Sequence, residues 1–279
     1  MRVTLFGATG LLGKALLQQW KDVELTGLSS KDADLRDQRQ VSGAVEQTRP
    51  DWIVLAAAYT DVDGSETNSK LAFELNCQGA VNVAEAANQV GARLLFLSSD
   101  YVFDGSKSTP YETDDPRGPR SVYGRTKAEA EAKLLEILPQ CCIVRTSWLF
   151  GVGGKCFPDT ILRLAASRPV LEVVDDQCGS PTYTRDLAAA ILHLCHHKAA
   201  GIVHVTNRGE CSWFQFAQEI VRKAGLATEV RPTNTDKFPR PAPRPKYSVL
   251  SSSSLDQYNF IMPSWRDALQ RYLVERSSP

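Results

Sequence analysis

Along the first half of the chain, short apolar runs alternate with longer stretches in which apolar positions recur at helical spacing. The runs at 2–6, 23–27, 52–56, 93–98 and 142–146 predict strands, and residues 11–20, 38–47, 69–89 and 122–138 predict the helices between them. Such a rhythm builds βαβ units, and so a parallel sheet covered on both faces. The predicted class is α/β, a Rossmann-like doubly wound parallel sheet.

Beyond Trp148 the alternation becomes irregular. After the glycines Gly151, Gly153 and Gly154 come a helix over 157–167, a strand over 170–174, a helix over 184–197, a strand over 202–206 and a helix over 212–224. The proline-rich stretch 231–246 cannot be regular helix. No repeat or linker divides the chain into independent parts. The expected division is a dinucleotide-binding domain over 1–150, which residues near 182–208 rejoin, and a smaller, interleaved substrate-binding lobe over 151–279.

A length of 279 residues allows a substantial core. Acidic and basic residues balance at 32 each without long runs of one sign, so neither nucleic acid nor a membrane surface is an expected partner. A small molecule is. The longest apolar run, 52–59, is too short to cross a bilayer, and a strand directly after Met1 leaves no room for a secretory leader. The seven cysteines are scattered, odd in number and without a Cys-x-x-Cys pair, which predicts free thiols in a cytoplasmic protein. His193, His196 and His197 cluster without a carboxylate or cysteine at ligand spacing, so they read as helix-end charge and no metal site is expected.

Gly7, Gly10 and Gly13 follow the first predicted strand and open the first helix, the context in which backbone approaches a pyrophosphate at a helix N-terminus. The spacing is Gly-x-x-Gly-x-x-Gly, which differs from the general dinucleotide fingerprint, and glycines at such a turn also serve structure alone. The second strand runs out into Ser29, Ser30 and Lys31 without the usual ribose carboxylate. Hydroxyls and an ammonium there suit a 2′-phosphate, hence NADPH, with NADH as the alternative. Asp34 and Leu35 are placed under the adenine.

Tyr123 and Lys127 stand four apart on a predicted helix and share a face, where an ammonium can favour the ionised phenol. Such a pair also arises by chance on an amphipathic helix. Ser98 and Ser99 end the fourth predicted strand, at the edge where parallel sheets bind ligands. Together they supply what ketone reduction needs from a protein: a proton donor and a hydroxyl that polarises the carbonyl.

These residues, with the segments at 56–63, 98–105 and 145–148, Asp176 to Thr182 and the late Arg244-Pro245, resemble the extended short-chain dehydrogenases/reductases over nearly the whole length. The closest resemblance is to the branch that reduces dTDP-4-dehydrorhamnose. The resemblance implies Ser99, Tyr123 and Lys127 as catalytic residues. It implies a cofactor cradle of Gly7, Thr9, Gly10, Leu11, Leu12, Gly13, Ser29, Ser30, Lys31, Asp34, Leu35, Ala56, Ala57, Ala58, Thr60 and Asn76, joined by Tyr123 and Lys127. Val62, Ser99, Asp100, Tyr101, Trp148 and Arg244 would meet a nucleotide-sugar substrate. The implied reaction is NADPH-dependent reduction of dTDP-4-dehydro-β-L-rhamnose, the last step of dTDP-rhamnose synthesis. The alternatives are a non-catalytic dinucleotide-binding regulatory subunit and a sugar-nucleotide epimerase. Some relatives form magnesium-bridged dimers through a first-helix glutamate, where this chain has Lys14-Ala15, so the expected assembly is a monomer or homodimer without metal.

Overall fold

The computed structural model describes residues 1–277. In chain order the first half holds β1 (Arg2–Phe6), α1 (Leu11–Gln19), β2 (Glu24–Leu28), α2 (Gln38–Thr48), β3 (Trp52–Leu55), α3 (Val62–Thr67), α4 (Ser69–Phe73), a π-turn (Glu74–Gln78), α5 (Gly79–Val90), β4 (Arg93–Ser99), α6 (Val122–Ile137) and β5 (Cys142–Thr146). The second half holds β6 (Leu149–Phe150), α7 (Phe157–Ala165), β7 (Val170–Val174), β8 (Cys178–Gly179), β9 (Thr182–Tyr183), α8 (Thr184–His196), β10 (Gly201–His204), β11 (Cys211–Ser212), α9 (Trp213–Lys223), β12 (Glu229–Thr233), α10 (Ser253–Asp256) and α11 (Trp265–Ser277).

Six parallel strands form the main sheet in the order β10-β5-β4-β3-β1-β2. The chain leaves β1 for β2 on one side and returns to β3 on the other, so a topological switch point lies between β1 and β3. A crevice opens there, beyond the carboxyl ends of the strands. Both sheet faces are apolar because both are covered. Val3, Leu5, Val54, Leu95 and Val144 pack under α1 and α8, while Phe6, Ile53, Leu55, Phe96 and Ile143 pack under α2, α5 and α6. A third core, built on Phe150, Tyr183, Phe216, Trp265 and Tyr272, belongs to the later elements.

Three departures from the pattern have local causes. The helix expected over 69–89 is interrupted by the π-turn, which apolar spacing does not reveal. The proline-rich stretch 231–246 forms no α-helix, but its first residues belong to the unforeseen strand Glu229–Thr233, which pairs with β7; Pro232 is tolerated because the pair is an isolated two-stranded sheet with open edges. The unexpected α11 buries Trp265, Ala268, Leu269 and Tyr272, a helical spacing that the polar residues between them mask.

Candidate active site

At the switch point the backbone is pressed close. Gly7 has φ +96°, and a Cβ there would lie 2.6 Å from the Ala57 nitrogen; a Cβ on Gly13 would lie 2.1 Å from the Gly7 carbonyl oxygen. Only glycine fits either place. Gly10 caps α1 without a side-chain bond, and the first turn of α1 carries no acidic residue, so its amide groups are left to an anion. Thr9 and Gly10 are exposed beside them. This cradle fits the pyrophosphate of a dinucleotide. Leu11 is half-buried beside Gly154, whereas the Leu12 side chain is buried in the core under the sheet, leaving only its backbone to face the cradle.

The corner after β2 carries an acid that strand-end composition alone misses. Asp32, four residues beyond the strand, accepts from both the Ser29 N–H (2.8 Å) and the Ser29 hydroxyl (2.6 Å). These bonds hold the exposed Asp32 carboxyl below its ordinary value. Ser30 and Lys31 stay exposed. Asp34 chelates Arg36, the hydrogen bond that chiefly lowers its pKa, and Leu35 packs in the core against Gly79. The Leu35 side chain is therefore core.

Ala56, Ala57 and Ala58 are half-buried and Thr60 is exposed at the end of β3. Small side chains let a ligand approach the turn. Asn76, thrown into the crevice wall by the π-turn and 1% exposed, accepts from the Tyr59 N–H (2.7 Å). It donates to the Tyr59 carbonyl and to Thr126 Oγ1, both at 3.1 Å. One buried amide thus ties the loop after β3 to α6.

At the end of β4 the strand turns into Asp100-Tyr101-Val102, a single 3-10 turn. The Ser99 hydroxyl donates to Asp100 Oδ1 (2.9 Å) and accepts from the Tyr101 N–H (3.2 Å). Asp100 is 2% exposed and its Oδ2 has no partner, an orphaned acceptor beside the crevice. Burial pushes its pKa up to about 6, opposed by the nearby hydroxyls of Ser248 and Ser99. Ser121 caps α6 by accepting from the Gly124 N–H (3.1 Å), and a Cβ on Gly124 would lie 2.2 Å from the Tyr101 carbonyl. Helix and turn are therefore in contact, with the Tyr101 and Tyr123 rings edge to face at 5.8 Å.

Tyr123 opens α6 at this junction, on the side of Ser99 and Asp100. Burial first, and then the Asp100 carboxylate, push the phenol up to about 12, while the Ser99 hydrogen bond pulls it down. Lys127, 2% exposed, holds its ammonium over the Phe96 ring, 4.2 Å from the centroid. Burial pushes it down to about 7 and Glu131 opposes this. In the free protein burial is thus the largest influence on both groups. The lysine's own charge is weakly held, and the phenol keeps its proton at neutral pH.

Across the crevice, Val62 begins α3 and Trp148 sits half-buried at φ 48°, its indole stacked 3.5 Å from that of Trp213 and edged by Gly179. A bulky residue at positive φ is strained and is kept there by its surroundings. Arg244, expected to face phosphate, donates to Asp63 Oδ1 (3.0 Å) and to the Ala242 carbonyl (2.9 Å). Burial raises the Asp63 carboxyl, but the hydrogen bonds from Arg244 and the Ala242 N–H outweigh it and leave the pKa low. Asp63 and Gly179 lie within the segments that carry the resemblance but had no assigned role, and a lone aromatic such as Trp213 gives no spacing to read. Among the described residues, no group of three or more His, Cys, Asp or Glu is placed to hold a metal ion. Nor is any helix long and apolar enough to cross a membrane.

The comparisons with known proteins agree with this geometry. The family model described as RmlD substrate binding domain matches residues 1–278. The spore coat polysaccharide biosynthesis protein SpsK of Bacillus subtilis is 40% identical over 279 residues, 99% of this chain and 98% of that protein. A dTDP-4-dehydrorhamnose reductase of Streptomyces griseus is 43% identical over 256 residues, 88% of this chain and 84% of that one. The crystal structure of the dTDP-4-dehydrorhamnose reductase of Bacillus anthracis in complex with NADP is 40% identical. It superposes with a TM-score of 0.96 over 98% of this chain and 99% of that one. With a match that runs through both the glycine cradle and the later lobe, the chain belongs to the dTDP-4-dehydrorhamnose reductase family.

Proposed function

We propose that the protein reduces dTDP-4-dehydro-β-L-rhamnose to dTDP-β-L-rhamnose with NADPH, the last step of dTDP-rhamnose synthesis. The observation that carries this is the junction of β4 and α6, where Gly124 presses on the Tyr101 carbonyl, the Ser99 hydroxyl takes the Tyr101 N–H, the Tyr123 ring stands edge to face with that of Tyr101, and Lys127 lies one turn along the same helix. The glycine cradle and Ala56 to Thr60 hold the cofactor, with Asn76 fixing the loop. NADPH, when bound, supplies the hydride that reduces the keto carbon.

Tyr123, still protonated at neutral pH, donates its proton to the carbonyl oxygen as that oxygen becomes negative. Ser99 donates a hydrogen bond to the same oxygen, which requires it to leave Asp100 Oδ1. Lys127 as an ammonium stabilises the tyrosinate left behind and faces the nicotinamide ribose. Trp148, Tyr101 and Val62 line the sugar side and Arg244 suits the pyrophosphate through its guanidinium fork. Seven free cysteines fit a reducing cytoplasm, and we take the assembly to be a monomer or homodimer.

The test is the loss of NADPH absorbance on adding the 4-keto sugar nucleotide to purified protein. A regulatory subunit shows no oxidation in that assay, and an epimerase shows turnover without net consumption of cofactor.

A further inference from the structure

Behind the reacting groups lies a buried polar network for which the reaction has so far required no role. Glu131 is 0% exposed and Arg145 is 1% exposed. Arg145 Nε donates to Glu131 Oε1 (2.9 Å) and Arg145 Nη2 to Oε2 (2.7 Å), a two-pronged pair. The Ser98 hydroxyl also donates to Oε1, and Arg117 reaches Oε2 at 3.4 Å from the more open side. His204 lies against Arg145 at 3.3 Å, and burial, aided by that guanidinium, pushes it down to about 3, so it adds no charge.

The placement of this network follows from two periodicities. Phe96 and Ser98 are two apart on β4 and so point to one sheet face, the face that α6 covers. Lys127 and Glu131 are four apart on α6 and share the side turned to that face. The ammonium rests on Phe96 and the carboxylate is taken by Ser98. Strand register also sets Ser98 beside Arg145 and Ser99 beside Thr146, so the network and the reacting hydroxyl stand on adjacent rungs. Glu131 is the charged group that opposes the effect of burial on Lys127.

We propose that Glu131, pinned by Ser98 and Arg145, is a positioning residue that keeps Lys127 as an ammonium beneath the cofactor crevice. The inference rests on the role given to Lys127 in the proposed reaction, but its test needs no turnover. The chain is labelled with 13C at lysine Cε, and the Lys127 resonance is identified as the one lost in Lys127→Met. Its midpoint is then followed by pH titration in the wild type, Glu131→Gln and Ser98→Ala. The wild-type midpoint should fall near about 7, where burial is partly offset by Glu131.

Glu131→Gln should lower that midpoint by about one pH unit, because an opposite charge has been removed and the burial remains. Ser98→Ala should lower it by less. Glu131→Gln decides the matter where its thermal melt shows a folded protein, and an unmoved midpoint overturns the proposal. Where that variant does not fold, Ser98→Ala decides by the same criterion. A purely structural role predicts a lower melting temperature with the midpoint unchanged. Absence of reductase activity, with the midpoint shifted, would sink the proposed reaction while leaving this pairing intact.

Discussion

Asn76 grips Tyr59 by both backbone groups, accepting from its N–H at 2.7 Å and donating to its carbonyl at 3.1 Å. The amide imitates a neighbouring strand and so fixes a loop that has none. Asn76→Ala leaves two polar groups of the partly buried Tyr59 backbone unpaired, which costs about 1–3 kcal/mol. The expected outcome is a lower melting temperature together with at least tenfold weaker NADPH binding by calorimetry. Asn76→Asp keeps the acceptor and loses both donors, so it should be impaired as well.

Two glycines on consecutive helices, α1 and α2, offer a paired test. Gly13→Ala places a Cβ 2.1 Å from the Gly7 carbonyl, whereas a Cβ on Gly43 in α2 meets nothing within 4 Å. Gly13→Ala should lose about 1–3 kcal/mol and its cofactor binding. Gly43→Ala should gain about 0.5–1 kcal/mol from helix propensity. Chemical denaturation of both variants checks the contrast, and equal effects would deny the close approach of α1 to the turn.

Asp100 links stability to pH. Its folded pKa of about 6 lies above the 3.8 of an ordinary carboxyl, so the native state binds the extra proton between those values. Its favourable contribution is fully present below about pH 4 and is lost as pH rises through 6, a difference of order 3 kcal/mol. Asp100→Asn removes this dependence. The variant should gain stability relative to the wild type at pH 8 compared with pH 4, measured by urea denaturation at both.

Much of this architecture could be read from the chain because some positions admit a single physical solution. Gly7 and Gly13 are such positions, and so is the alternation that brings Ser99 to a strand end. Where the cause is three-dimensional, the chain gave no local sign. The π-turn that delivers Asn76 leaves the apolar spacing of 69–89 helical, and the exposed strand Glu229–Thr233 carries a proline that argues against pairing. Asp32 reaches back to Ser29 through a turn, so the composition of the strand end missed an acid that is present. Lys127 and Tyr123 stand one turn apart as their spacing predicts, but the burial that disfavours the charged form of each belongs to the packed interior, which spacing does not carry.

The Asp63–Arg244 pair fastens the proline-rich segment over α3 beside the crevice. Both side chains are about one-fifth exposed, so the pair contributes about 0.5–1 kcal/mol at most. Arg244→Ala should raise KM for the nucleotide sugar at least tenfold with a smaller change in kcat. Asp63→Asn frees the guanidinium and should raise KM by less. Steady-state kinetics with substrate varied separates the two, and an unchanged KM in Arg244→Ala would remove Arg244 from the substrate site.

The central claim is that the Tyr123 phenol is the proton donor in reduction of a 4-keto sugar nucleotide, and Tyr123→Phe tests it most directly. The substitution deletes one oxygen and leaves the ring against Tyr101. With dTDP-4-dehydro-β-L-rhamnose, kcat for NADPH oxidation should fall by about 10²- to 10⁴-fold, with NADPH affinity and melting temperature little changed. A variant that turns over within a few-fold of the wild type would contradict the account.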